Sequence, residues 1–373
     1  MAESTGTYKV GQHPDLPPPR SEVGVIGWVK YNLLSTPFNV IMTLLAIWFL
    51  WSIIPPIFEW AVLDSIWTAE SRKACWAKME VPEGAACWAF IKDRIGLFIY
   101  GFYPADLRWR VNLSFVLMVL AIVSVLYENM PGRKFGLWYA VAFPFITGWL
   151  LVGGLGLTHV DTDQFGGIML TFIIGITGIS FSLPIGILLA LGRRSKLPVI
   201  RVLCVLIIEF IRGVPLIALL FIASTMLNYF LPPGTAFDLL LRVLIMVTVF
   251  SSAYIAEVIR GGLQGIPNGQ YEAADSLGLT YTKAHLLIIL PQALKISIPG
   301  IVNTFIGLYK DTTLVLIIGM LDPLGIGRAA LADAEWAGLA REVYIFVAVF
   351  FFICCFSMSR YSLWLEKRLS TEN

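Results

Sequence analysis

Residues 270–291 read QYEAADSLGLTYTKAHLLIILP, the longest amphiphilic, charge-bearing stretch in the apolar second half of the chain. A helix starting near Gly269 would place Glu272, Ala273 and Ala274 in its first turns, where a carboxylate suits the positive end of the helix dipole. Gly278 offers a left-handed C-cap without the cost of a Cβ. Thr280 is placed to N-cap a second helix running to Pro291. The expected product is a short helix, a sharp turn and another helix, set between two membrane spans. Two adjacent alanines would let a second surface approach closely. The plain alternative is an ordinary helical hairpin at the membrane surface.

Around this stretch the chain is built for lipid. It has 373 residues, 57% hydrophobic and 14% charged, where soluble domains carry about 25% charge. Runs of the length a bilayer demands recur at about 38–60, 111–127, 136–157, 167–191, 199–231, 239–261, 295–320 and 342–364. The expected fold is an all-α polytopic membrane protein of about eight spans. The first span should kink or end at Pro55-Pro56. The fifth, 199–231, should be tilted or broken near Gly213-Val214-Pro215. The net charge of +2 says little, and the basic residues sit at the ends of apolar runs, which gives no footprint for nucleic acid.

Residues 1–37 are polar and rich in proline (Pro14, Pro17, Pro18, Pro19). They read as a disordered tail rather than a cleaved signal. Residues 38–160 form a three-span extension. Within it, 64–108 is too long for a plain connector and is expected to fold as a small cap with amphipathic pieces. Cys75 and Cys87 share that cap. They can pair if it faces an oxidising compartment, and the absence of a nearby histidine argues against zinc. The remaining core, 161–373, holds five spans and a connecting loop at 263–294.

Short-loop Lys and Arg set the orientation. Arg133/Lys134, Arg193/Arg194/Lys196, Arg260/Lys283 and Lys367/Arg368 fall on one side, and Asp161, Asp163 and Asp322 on the other. Eight spans then place both termini, and the 263–294 loop, in the cytoplasm. The cap faces outward.

Two copies of Glu-x-x-Arg-Gly stand out, Glu209 with Arg212 and Glu257 with Arg260. At i, i+3 the charges share a helix face and can pair, bracing the cytoplasmic mouth or gating it. Lys310-Asp311 lies inside the seventh run, where an ionisable residue is a functional candidate by default. Its two side chains leave the helix about 100° apart, which suits bracing as well as ligand contact. No catalytic constellation is visible: His13, His159 and His285 are scattered, no metal cluster is expected, and no Gly-Lys pair exists to make a phosphate-binding loop.

Glu272-Ala273-Ala274, Gly278, then Ile288, Leu290 and Pro291 resemble the cytoplasmic loop of ABC importer permeases, with both spacings of that signature met. From about Gly167 onward the resemblance narrows to the polar amino-acid branch, through Gly192-Arg193-Arg194-Ser195, the Glu209–Pro215 and Ala253–Gly262 segments, and Lys310–Leu314. The N-terminal spans and the outer loop with Cys75 and Cys87 look like the larger permease subunit of a bacterial general L-amino-acid uptake system. The resemblance implies a multi-pass inner-membrane subunit without enzymatic activity of its own. Glu272, Ala273, Ala274 and Gly278 would couple it to an ATPase. The implied partners are a second permease in a heterodimer, two ATP-binding subunits that hold ATP and Mg, and a periplasmic amino-acid-binding protein. A path for an amino acid needs polar groups, for which Asn228, Tyr229, Ser251, Ser252, Tyr254, Asn303, Lys310 and Asp311 are candidates; singly, each suits a helix–helix hydrogen bond equally. An ion-gradient-driven secondary amino-acid transporter is the alternative, and it leaves the 270–291 signature unexplained.

Overall fold

The structure is a computed structural model that describes residues 24–79, 84–127, 132–226, 229, 232 and 237–369. Most of the N-terminal tail, and Asn228, lie outside the described residues. Among those residues every regular element is a helix. Seven helices are long and apolar enough to span a bilayer, and one bent pair adds an eighth where it is counted as a single broken span.

The chain divides into two compact units, residues to Ile66 with Trp76–Ala86, and Trp67–Cys75 with everything from Cys87 onward. The first holds α1 (Gly24–Asn32) and α2 (Pro37–Phe58). Thr36 caps α2 by accepting the Asn39 N–H, and Pro37 supplies the preset φ of a first helical position. No residue of α2 is buried and its apolar character runs all round, as expected of a lone helix in lipid. Pro55-Pro56 fall in its last turn, where a kink or an end is expected; the α-helix gives way after Phe58 to a π-turn over Glu59–Leu63, with the Asp64 N–H reaching the Glu59 carbonyl.

The second unit begins its regular structure with α3 (Arg72–Trp76) and α4 (Trp88–Tyr100), then the paired spans α5 (Arg108–Leu126) and α6 (Arg133–Val152). Cys75 and Cys87 form a disulfide. It staples a cap whose α4 buries Ala89, Phe90, Ile91 and Phe98. Phe90 packs on Trp336 and Phe98 on Phe346, Arg94 bridges Asp333, and Glu342 accepts the Cys87 N–H.

Next come α7 (Gly167–Arg193), α8 (Pro198–Gly213), α9 (Leu216–Phe221) with a π-turn to Met226, and α10 (Leu239–Gln264). The fifth crossing breaks where expected: α8 and the following helix meet at 102°. Val214 is extended because the ring of Pro215 bars it from the helical region. The centre of the unit is the α7–α10 seam, where Met169, Leu170 and Ile174 pack with Val243 and Val247. Gly186 makes the close approach possible, since a Cβ there would lie 2.6 Å from Ile255.

The remaining elements are α11 (Asn268–Ser276), α12 (Tyr281–Ala284), α13 (Leu290–Asp311), α14 (Pro323–Ala330) and α15 (Ala340–Leu369). The second helix of the 263–294 loop does not stop at Pro291, which corrects the sequence reading. The path from Tyr281 runs unbroken to Ile318, 38 residues. A π-turn at His285–Ile289, closed by the Leu290 N–H on the His285 carbonyl, leaves Pro291 at the start of a fresh helical segment, where its missing donor costs little.

Candidate functional site

α11 ends in a fully formed Schellman motif. The Gly278 N–H bonds the Asp275 carbonyl at 2.9 Å and the Leu279 N–H bonds that of Ala274 at 3.3 Å. Gly278 pays for this with φ +68°, a value that disfavours any side chain. Thr280 begins α12 as expected, but its side chain makes no capping bond. Glu272 is the fifth residue of α11, beyond the first turn, so the helix dipole does little for it.

The four residues singled out in the loop separate by direction. Glu272, Ala273 and Gly278 are exposed, and Ala274 is buried. Leu277, on the exposed side, is 73% accessible. The outward side of the capped helix thus carries Glu272, Ala273 and Leu277 next to the Gly278 turn. Its inward side is fastened. The Arg194 guanidinium donates to the Leu263 carbonyl at 3.0 Å and to the Tyr271 hydroxyl at 3.2 Å, and lies 5.7 Å from the Tyr271 ring centre. Gln270 accepts from Gln292 at 3.1 Å, tying α11 to α13.

One residue before Arg194, Arg193 enters a charge hub. It meets Glu209 of α8 at 2.8 Å and Glu257 of α10 at 2.7 Å. Glu257 also holds Arg260 at 2.9 Å and Arg212 at 3.5 Å, with its own side chain 14% exposed. The two Glu-x-x-Arg copies therefore behave differently. Glu257 and Arg260 pair within their helix as expected. Glu209 and Arg212 do not: each reaches across to another helix, because α7 and α10 offer opposite charges at closer range. The hub draws α7, α8 and α10 together, with Glu257 and Arg260 in the last turns of α10 before the 263–294 loop. Arg193, Arg194 and Tyr271 were legible only as loop charges and a loop aromatic; their pairing depends on helix ends far apart in sequence.

The residues considered for a path do not converge. Ser252 is fully buried against α7 and donates to the Thr248 carbonyl at 2.6 Å, so it serves the helix seam. Ser251 is buried as well. Tyr254 stacks on Phe250 at 4.8 Å and lies beneath Arg212. Tyr229 and Asn303 are exposed. Lys310 is exposed and Asp311 half-buried, and neither side chain is salt-bridged among the described residues.

Asp322 escaped notice in the sequence, where it reads as an outer-loop carboxylate. It is fully buried at the head of α14 and accepts the Gly325 N–H at 2.8 Å, while its other oxygen has no hydrogen-bond partner among the described residues. Burial pushes its carboxyl up to about 6, against the opposing pull of backbone N–H donors.

Residues 182–371 match the family model described as the binding-protein-dependent transport system inner membrane component. The chain is 48% identical to the inner membrane amino-acid ABC transporter permease protein YhdY of Escherichia coli (strain K12), over 96% of this chain and 97% of that one. It is 45% identical to the glutamate/glutamine/aspartate/asparagine transport system permease protein BztC of Rhodobacter capsulatus, over 96% of each. A crystal structure of an amino acid ABC transporter with histidines covers 54% of this chain and 92% of its own at 30% identity, TM-score 0.49.

Proposed function

The chain belongs to the family of binding-protein-dependent transport system inner membrane components, and on that footing we propose that it moves L-amino acids of broad range from periplasm to cytoplasm. It is a permease subunit of an ABC importer, a transport subunit rather than an enzyme, and a multi-span protein of the inner membrane. Amino acids as cargo follow the relatives: one is named for four acidic and amide amino acids and another for amino acids generally. The fine assignments are ours. Residues 161–373 are the permease core, 38–160 the extension, and both termini lie in the cytoplasm. The partners are a second permease, two ATPase subunits holding ATP and Mg, and a periplasmic binding protein.

The observation that carries the coupling role is the capped, outward-facing α11 latched by Tyr271 to the ends of α7 and α10. Docking on an ATPase would use Glu272, Ala273 and the Gly278 turn, with Ala274 packing inward. Motion of α11 would reach α7 through Arg194, and the Arg193–Glu257–Arg212 hub would pass it to α8 and α10 as a cytoplasmic gate. Lys310 and Asp311, charged and unpaired within a span, are the residues on which we place cargo contact, with Asn303 on the same helix and Tyr229 and Tyr254 secondary.

The test is purification from the native membrane in mild detergent, followed by ATPase assay with the copurifying binding protein. Copurification of a second permease and an ATPase, with hydrolysis stimulated by several L-amino acids, is the expected result. A chain that purifies alone, with uptake surviving ATP depletion but collapsing with an uncoupler, would overturn it in favour of a gradient-driven carrier.

A further inference from the structure

Between α5, α6, α7 and α10 lies a cavity of about 510 Å³. Its walls are apolar, among them Met118, Phe143, Phe172, Phe181 and Leu244. Away from its polar end the polar side chains along it are the hydroxyls of Ser114, Thr147, Thr177 and Thr248, none of them charged, so an amino acid's carboxylate would find no counter-charge there. Left empty, a void this large forfeits the dispersion contacts of its lining. The cavity opens sideways: Phe145, Gly148, Leu241 and Ile245 line it and are themselves exposed on the lateral surface. Its stretch of α10, Leu240 to Val249, is about 14 Å long at 1.5 Å per residue, against about 15 Å for one leaflet of a bilayer core.

One end is polar. Thr162 and Asp238 line it, with the Thr162 hydroxyl donating to the Asp238 carboxylate, and Asp161 and Asp163 flank Thr162 in the open. The nearby bases are turned to other uses. Arg110 is buried and donates to the Thr158 carbonyl, and Arg242 donates to the carbonyls of Ala223 and Ser224. The rim thus carries three carboxylates, Asp161, Asp163 and Asp238, with His159 3.3 Å from Asp161 and the guanidiniums of Arg110 and Arg242 directed to backbone carbonyls, above an apolar slot one leaflet deep. We propose that this cleft holds one acyl chain of a bilayer phospholipid whose headgroup carries an amine.

The occupant would fill the gap left between the α5–α6 pair and the α7–α10 seam, beside the direct packing of Val111 and Leu151 on Met169 and Val243. The probes are phosphatidylethanolamine and phosphatidylglycerol, each with a photoreactive group on one acyl chain, in nanodiscs holding the whole transporter. Photo-adducts should concentrate on residues 143–152 and 240–249, severalfold above those on the exposed α8 residues Val199 and Val202, and severalfold stronger for the ethanolamine lipid. Gly148→Trp, at a position where a Cβ meets nothing within 4 Å, should fill the slot and remove the cleft adducts while leaving those on α8. If that variant fails to assemble, Ile245→Trp fills it from the opposite wall. Cleft labelling no greater than on α8, labelling undiminished by either variant, or cross-linking of the cleft to another subunit would overturn the proposal. Equal labelling by the two lipids would overturn its headgroup half.

Discussion

Glu257 is the centre of the hub, and Glu257→Gln is the sharpest test of it. The substitution keeps shape and leaves Arg193, Arg212 and Arg260 facing one another without their shared anion. Removing one member of a deeply buried pair costs about 3–5 kcal/mol, and an exposed pair is worth about 0–1 kcal/mol. Glu257 is 14% exposed and its partners 22–34%, which places the loss between those limits, at about 1–3 kcal/mol. Every ~1.4 kcal/mol is tenfold in a population, so the variant should populate other arrangements of α7, α8 and α10 about tenfold more. In the reconstituted transporter the expected readout is raised ATP hydrolysis without the binding protein, and weaker stimulation with it. Paired with Arg193→Gln in a double-mutant cycle, Glu257→Gln should show a coupling of about 1–2 kcal/mol, since contacting charges are not additive. Additive effects, with basal hydrolysis and thermal midpoint unchanged, would refute the hub as a coupling device.

Gly278→Val should cut uptake without removing the protein from the membrane, because a left-handed residue with a Cβ costs about 1–2 kcal/mol and no steric neighbour explains the loss; Gly278→Asn should retain more, and a membrane immunoblot beside an uptake assay checks both. Asp322, pushed up to about 6 from an unfolded value near 3.9, keeps its proton in the fold where the unfolded chain has lost it, so it contributes stability below about pH 4 that is lost as pH rises through 6, about 3 kcal/mol in all. Asp322→Asn should flatten that slope and raise the thermal midpoint at pH 7, while its amide oxygen still caps the Gly325 N–H. Cys87→Ser, or reduction of the Cys75–Cys87 bond that closes a 12-residue separation, should cost about 3 kcal/mol by the chain-entropy account and show as faster proteolysis within the cap.

What could be read from the sequence was whatever short-range chemistry decides. Gly278 was legible as a left-handed cap because only glycine takes that geometry freely, and Val214-Pro215 as a break because the ring constrains the residue before it. The seven long apolar helices, and the bent pair that follows α7, are legible from apolar length alone. Pro291 misled for the opposite reason: a π-turn upstream cancels its cost, and nothing in the local composition announces a π-turn. Glu209 and Arg212 carry an obvious i, i+3 pattern, yet the tertiary arrangement offers each a partner on another helix. Asp322 looks like any loop acid until the packing of α14 closes over it. The cysteine pair was open on sequence, since a 12-residue separation is compatible with bonding but does not bring two Cα atoms to 6.1 Å, as the folded cap does.

Arg193 and Arg194 show how little machinery the proposed coupling needs. Adjacent residues on a helix point about 100° apart. At the end of α7 this sends one guanidinium to Glu209 and Glu257 and the other to Leu263 and Tyr271. A displacement of α11 that pulls on Tyr271 must therefore turn or shift the same backbone turn that positions Arg193. The lever is two residues long, and its arginine contacts are hydrogen bonds and ion pairs beside one cation–ring contact, hence directional and able to exchange partners. Apolar packing in the same place would resist sliding without selecting between discrete arrangements. Lys310 and Asp311 stand in contrast. Among the described residues neither takes part in a salt bridge, and an uncompensated charge in a span is costly. In the proposed pathway, cargo, water in a shared path or the second permease would supply the compensation.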